Sequence, residues 1–225
     1  NVFVTTVYLV RHGRTPANEK GILAGRTKGV FLDELGVLQA ETLAKTLENI
    51  EFKKILVSPM ERCQQTAKIL NQFSKNPIKP NIDAGISECD YGDWSNKKLS
   101  TLRKKPLWKN VQERPSVVEF PNGEKMSSML DRMKSTIFDN SSKLKNDDNL
   151  LVVSHGDPIR SFIADSLGIH LDNFQRITID PCSLSIVRIV QGNIQVVSVN
   201  NRVQVPNQIK KKKKKFGSVL GGGAG

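Results

Sequence analysis

Val7-Tyr8-Leu9-Val10-Arg11-His12-Gly13 is an apolar run that stops abruptly at a guanidinium, an imidazole and a glycine. Val, Leu and Tyr suit a buried strand, and the glycine permits a sharp turn. A second run, Leu150-Leu151-Val152-Val153-Ser154, ends the same way in His155-Gly156. The chain holds three histidines, and two of them follow apolar strands in this manner. Open α/β sheets gather ligands at the carboxyl ends of their strands, so His12 and His155 are expected in one site.

Working outward, strand and helix patterns alternate. Val4 to Val10 reads as a strand, and Leu35 to Leu47 as a helix with a core stripe of Leu35, Leu38 and Leu43. Ile55 to Val57 is a short buried strand, followed by a helix over Glu61 to Phe73. A strand is expected near Ile82 to Ile86, a helix within Gly123 to Leu144, and a helix over Asp157 to Leu167 with Asp157 as its cap. Strands at Ile177 to Ile179, Leu184 to Val190 and Ile194 to Val199 close the pattern, the last two joined by a Gly192-Asn193 turn. This alternation predicts a three-layer α/β sandwich, with a mostly parallel central sheet, one antiparallel edge and helices on both faces. Trp94 to Asn122 breaks the pattern with both tryptophans, three prolines and many charges, and reads as an excursion carrying one short helix.

The 225 residues suit one domain with a small insertion: residues 1–205 as the domain, residues 94–122 as its cap, and residues 206–225 as a tail. Of the net charge of +12, six charges belong to Lys210 to Lys215. Like charges repel and the following glycines resist ordering, so the tail is expected to be disordered, with no specific nucleic-acid partner. No apolar run is long enough for a membrane-spanning helix. Asn1 to Val10 has no basic leader, and reads as a structural strand and not as a signal peptide. Cys63, Cys89 and Cys182 are odd in number and far apart, which fits reduced thiols in a cytoplasmic protein. They show no metal-ligand spacing with the histidines and carboxylates, so no metal and no cofactor are expected.

By topology Arg11 and His12, Arg62, Glu88 and His155 each fall at or just past a strand's carboxyl end. Together they suggest phosphoryl transfer through a covalent intermediate. A neutral imidazole offers a lone pair at neutral pH. Arginine forks match the oxygens over which a transferring phosphoryl group spreads its charge. Glu88 is the candidate to protonate the departing oxygen and then to deprotonate water, its pKa raised by the nearby phosphate.

Four blocks resemble the motifs of the histidine phosphatase superfamily, which includes the cofactor-dependent phosphoglycerate mutases. They are Val10-Arg11-His12-Gly13-Arg14-Thr15-Pro16-Ala17-Asn18, Ser58 to Ala67, Ser87-Glu88-Cys89-Asp90-Tyr91-Gly92-Asp93-Trp94 and Ser154-His155-Gly156-Asp157, in family order. Pro106-Leu107-Trp108 and Phe120-Pro121-Asn122-Gly123-Glu124 bring the chain nearest to a bacterial phosphomutase subgroup. The resemblance implies a phosphoglycerate mutase-like fold, a phosphohistidine at His12, and Glu88 as proton donor. It implies phosphate held by Arg11, Arg62 and His155 and oriented by Asn18, with minor contacts from Thr15 and Ser58.

Two departures stand out: Arg14 replaces the usual glutamate and is expected to add positive charge at the rim, and Ser95 replaces glycine. The excursion from Lys97 to Arg114 holds seven basic residues and one acidic residue. Its two readings are a positive cap that selects a further charge on the substrate, and a solvated basic face. The expected activity is hydrolysis of a small phosphorylated metabolite, favoured by the short insertion. Mutase chemistry through the same phosphohistidine is the runner-up, and a catalytically idle anion- or nucleic-acid-binding protein is the alternative of another class.

Overall fold

Unbroken apolar runs become the strands buried on both faces. The computed structural model describes residues 3–205 and residue 220. In chain order the strands are β1 Val4–Arg11, β2 Ile22–Leu23, β3 Lys54–Val57, β4 Asn81–Ile82, β5 Lys97–Lys98, β6 Asn149–Ser154, β7 Leu184–Val190 and β8 Asn193–Asn201. The helices are α1 Pro16–Lys20, α2 Glu34–Leu47, α3 Glu61–Phe73, α4 Leu99–Leu102, α5 Leu107–Glu113, α6 Met126–Ser141 and α7 Gly156–Ser166. Six strands form one sheet in the order β4-β3-β6-β1-β7-β8, while β2 and β5 pair separately. The pairings β4–β3, β3–β6 and β6–β1 are parallel, and β1–β7 and β7–β8 are antiparallel.

Alternate residues of the central strands face opposite layers. Val10, Val57 and Val153 pack with Leu43 and Ala44 of α2 and with Ala67 and Leu70 of α3. Leu9, Leu56 and Val152 pack with Met133 and Ile137 of α6 and with Ile159 and Phe162 of α7. Burying each such side chain contributes roughly 1.5–3 kcal/mol, so the three-layer sandwich is held from both sides. A third cluster, with Tyr91, Trp94, Leu102, Val111 and Phe120, lies under the excursion. Trp94 stacks on Trp108 there, with ring centroids 6.1 Å apart.

Register decides the site. β6 lies between β1 and β3, and Val10 pairs with Val153, Arg11 with Ser154 and Val57 with Val153. The next residues along these strands, His12, His155 and Ser58, therefore emerge at one level of the rim.

Several local expectations are corrected. The segment from Ile82 to Ile86 is mostly not a strand: β4 stops at Ile82, and Ala84–Ile86 is a 3-10 turn capped by Asp83, which accepts from the Gly85 N–H. Ile177 to Ile179 forms no strand either; the Ile179 carbonyl accepts from Arg11 Nη1 at 2.7 Å and joins no ladder. The excursion carries two short helices, and not one. Leu38 is 39% exposed, and the buried stripe of α2 is Gly36, Ala40, Leu43, Ala44 and Leu47. The final hairpin turns at Gln191 and Gly192, both at positive φ, as a two-residue turn between twisted strands requires.

The disordered-tail expectation falls on residues outside those described, Lys210 to Lys215 included. Leu220 is described, and it is 1% exposed among the residues of the third cluster. That differs from a solvated tail position.

Candidate active site

The His12 turn is held from three directions. Gly13 N–H donates to Thr66 Oγ1 at 3.1 Å, and Cys182 N–H donates to the Arg11 and His12 carbonyls at 3.1 and 3.0 Å. Gly13 is required by a close approach and not by a left-handed turn: a Cβ there would lie 2.5 Å from the Gly36 carbonyl oxygen. Asp33 caps α2 by accepting from Gly36 N–H at 2.7 Å, which presses the start of that helix against the turn.

Hydrogen-bond chemistry assigns both tautomers. His12 Nδ1 lies 2.7 Å from the Gly13 carbonyl, which only accepts, so Nδ1 carries the proton and Nε2 the lone pair. Arg62 Nε donates to that Nε2 at 3.2 Å. Arg62 Nη2 also donates to His155 Nδ1 at 3.1 Å, which leaves His155 Nε2 to donate to Ser58 Oγ at 2.7 Å. Arginine has no acceptor, so neither assignment can be reversed while the imidazoles are neutral. Neutrality is favoured: burial, then the positive charge of Arg62, holds both histidines well below their ordinary 6.5. The two rings meet edge to face with centroids 5.3 Å apart.

Arg62, the second residue of α3, is 1% exposed. Its Nη2 donates to the Gly25 carbonyl at 2.7 Å, yet its buried Nη1 has no hydrogen-bond partner among the described residues. A buried unpaired guanidinium N–H is costly unless an acceptor meets it. Arg11 is wholly buried behind the turn, and its Nη1 is engaged by Ile179. Burial lowers its pKa to about 10, so it stays charged at neutral pH.

Glu88 is 4% exposed, and its Oε1 accepts from Cys89 N–H at 2.9 Å. Burial, followed by the charge of Asp157, pushes its pKa up to about 7. The rise thus exists before any phosphate arrives, unlike the cause expected from sequence. Glu88 Oε2 sits 4.0 Å from His155 Nδ1; with His155 neutral, this is not an ion pair.

His12, Thr15, Asn18, Arg62 and Glu88 line one pocket. Arg11, Ser58 and His155 lie beneath it, each 0% exposed. Thr15 caps α1 and is tied to Asn18: Thr15 Oγ1 and N–H donate to Asn18 Oδ1 at 2.9 and 3.0 Å. Arg14 is not a lining residue; it pairs with Asp33 at 2.7 Å, which neutralises the charge expected at the rim. His170 is a surface residue, 67% exposed.

Asp157 does not cap α7. It is the helix's second residue, buried, and accepts from the Tyr91 hydroxyl. Sequence reasoning also missed Arg132, which donates to the carbonyls of Gly85, Ser87 and Glu88 and so shapes the loop carrying the carboxyl. Its partner Glu124 accepts from Arg132 and Arg26 and from Asp90 N–H. The block Phe120 to Glu124 was the only hint of this bracket. Among the described residues no group of three His, Cys, Asp or Glu side chains could hold a metal ion.

A family model described as the histidine phosphatase superfamily (branch 1) matches residues 7–202. The chain belongs to the histidine phosphatase superfamily. The chain is 29% identical over 198 residues to "Phosphoserine phosphatase 1" of Hydrogenobacter thermophilus, covering 85% of this chain and 90% of that protein. It is 30% identical over 181 residues to "Probable phosphoglycerate mutase GpmB" of Yersinia pestis, covering 80% and 82%. The solved structure of the alpha-ribazole phosphatase from Shigella flexneri matches with a TM-score of 0.76 at 26% identity, covering 90% of this chain and all of that one. The relatives' names thus divide between phosphatases and a mutase.

Proposed function

We propose that this histidine phosphatase hydrolyses a small phosphomonoester through a phosphohistidine at His12, without a metal. The observation that carries this reading is the Nη1 of Arg62, without a hydrogen-bond partner among the described residues, beside the lone pair of His12 Nε2. An incoming phosphoryl group meets both needs at once: its oxygens accept from Arg62, and its phosphorus faces the lone pair that Arg62 Nε releases. Nε2 attacks, a nitrogen–phosphorus bond forms, and the ester oxygen leaves with the proton of Glu88. Water then attacks the same phosphorus while the Glu88 carboxylate takes its proton. The nitrogen–phosphorus bond breaks, and neutral His12 and free phosphate result.

His155 acts one step removed. An arriving anion raises its pKa, Nδ1 gains a proton, and both ring nitrogens become donors, one to Ser58 and one to a phosphate oxygen. Arg11 adds a fixed positive charge behind the group, and Asn18, its Oδ1 engaged by Thr15, keeps its amide N–H groups for a ligand. Three free, buried cysteines fit a cytoplasmic setting.

Mutase chemistry shares the first half-reaction and is favoured by the relative named a mutase. Incubation with 3-phosphoglycerate primed by 2,3-bisphosphoglycerate separates the two: free phosphate is expected, and 2-phosphoglycerate without phosphate release would transfer the assignment to a mutase. His12→Ala is expected to abolish turnover of phenyl phosphate and the acid-labile phosphoenzyme trapped from a labelled ester. Hydrolysis that survives in that variant would refute the proposal.

A further inference from the structure

Beyond the phosphate cradle, the pocket changes character. Its remaining walls include Ala17, Ile22, Leu23, Ala24 and Leu99, together with Leu220. Leu23, Leu99 and Leu220 are 3%, 8% and 1% exposed, so these are packed walls and not a mobile rim. Arg62 is the one cation among the described residues that line it. The seven basic residues of the excursion, from Lys97 to Arg114, are all exposed, and none of them lines this pocket. The helices α4 and α5 bury Leu102 and Val111 in the third cluster and leave these charged side chains exposed. Arg14 and Arg26 are occupied, Arg14 by Asp33 and Arg26 by Glu124 and the Glu88 carbonyl, and Lys97 and Lys98, the cross-strand partners of Leu23 and Ile22, are exposed and do not line the pocket.

We infer that the group esterified to phosphate in this enzyme's preferred substrates is uncharged and apolar, and that it packs between the β2 segment Ile22–Leu23 and Leu99. This inference rests on the phosphomonoesterase reading of the same pocket. Its physical basis is twofold. Each methylene buried against such walls strengthens binding about threefold to fourfold. A carboxylate or ammonium placed there loses water and finds no charged partner among the described residues of these apolar walls, which costs at least about tenfold in affinity.

The test separates binding from turnover. Methylphosphonate, butylphosphonate and 4-phosphonobutyrate, none of them hydrolysable, are titrated calorimetrically into the full chain. Affinity is expected to rise tenfold or more from methyl to butyl, and to fall at least tenfold when the terminal carboxylate is added. Leu99→Arg should reverse the second difference, and Lys98→Ala, beside the wall on β5, should leave both unchanged. A flat alkyl series, a preference for 4-phosphonobutyrate, dependence of that ligand on Lys98, or no measurable binding of any phosphonate overturns the inference. Phenyl phosphate turnover is measured beside it. An alkyl preference with no ester hydrolysis keeps the apolar subsite and removes the hydrolase reading; hydrolysis with no alkyl preference does the reverse.

Discussion

Replacing Glu88 by glutamine is expected to stabilise the protein at alkaline pH while disabling it. The folded-state pKa of Glu88 is about 7, against an ordinary value of 4.5. Between those two pH values the folded protein holds a proton that the unfolded chain has already released. Stability therefore falls as pH rises through this window, and the loss is complete above about pH 7. The displacement corresponds to at most about 3 kcal/mol, a large share of the roughly 5–15 kcal/mol that holds a typical domain together. Glutamine imitates the protonated carboxyl and keeps an oxygen for Cys89 N–H, so it avoids the loss. Urea unfolding at pH 4.5, 6, 7.5 and 8.5 should show near-identical stabilities at the acid end and an advantage of up to about 3 kcal/mol for Glu88→Gln at the alkaline end. His12 and His155, held neutral in the fold, contribute the opposite slope below about pH 6.5, but they do so in both proteins and cancel in the difference. The same variant should lose roughly a hundredfold or more in kcat on an alkyl phosphate, and much less on p-nitrophenyl phosphate, whose leaving group needs no proton. Parallel stability profiles, or equal slowing on the two esters, would refute the reasoning.

Further outcomes follow from the same geometry. Gly36→Ala would place a Cβ 2.0 Å from the Arg14 carbonyl oxygen; a loss of about 2–3 kcal/mol in urea unfolding is expected, with a fall in kcat as the His12 turn shifts. Arg62→Lys keeps the charge but loses the fork that reaches His12, His155 and an anion together, so kcat/KM should fall by roughly 10²–10³-fold, with weaker inhibition by inorganic phosphate. Ser58→Ala leaves the buried His155 Nε2–H only the weak acceptor Cys63 Sγ, 3.4 Å away, at a cost of about 1 kcal/mol in stability, and should raise KM more than it lowers phosphoenzyme formation from an aryl ester.

The α/β class, the strands at Val4 to Val10 and Leu150 to Val153, and the five residues Arg11, His12, Arg62, Glu88 and His155 were legible from the sequence alone. The reason is chemical contrast. A strand buried on both faces must be apolar throughout, so a guanidinium or imidazole at its end stands out and needs a purpose. The boundaries of Ile82 to Ile86 and Ile177 to Ile179 were not legible, because a short apolar run is compatible with a strand, a 3-10 turn or extended chain until its neighbours are known.

Other features belong to tertiary structure. The insertion of β6 between β1 and β3 sets His12 and His155 side by side, and it is a pairing between segments some 140 residues apart. The tautomers follow from where the Gly13 carbonyl and Arg62 happen to lie. The raised pKa of Glu88 follows from its burial near Asp157, a residue whose local sequence suggested only a helix cap. The apolar wall is assembled from α1, β2, α4 and Leu220, while the basic residues that dominate the excursion's composition face water. Composition records how many charges a segment carries; only packing decides which of them a substrate can meet.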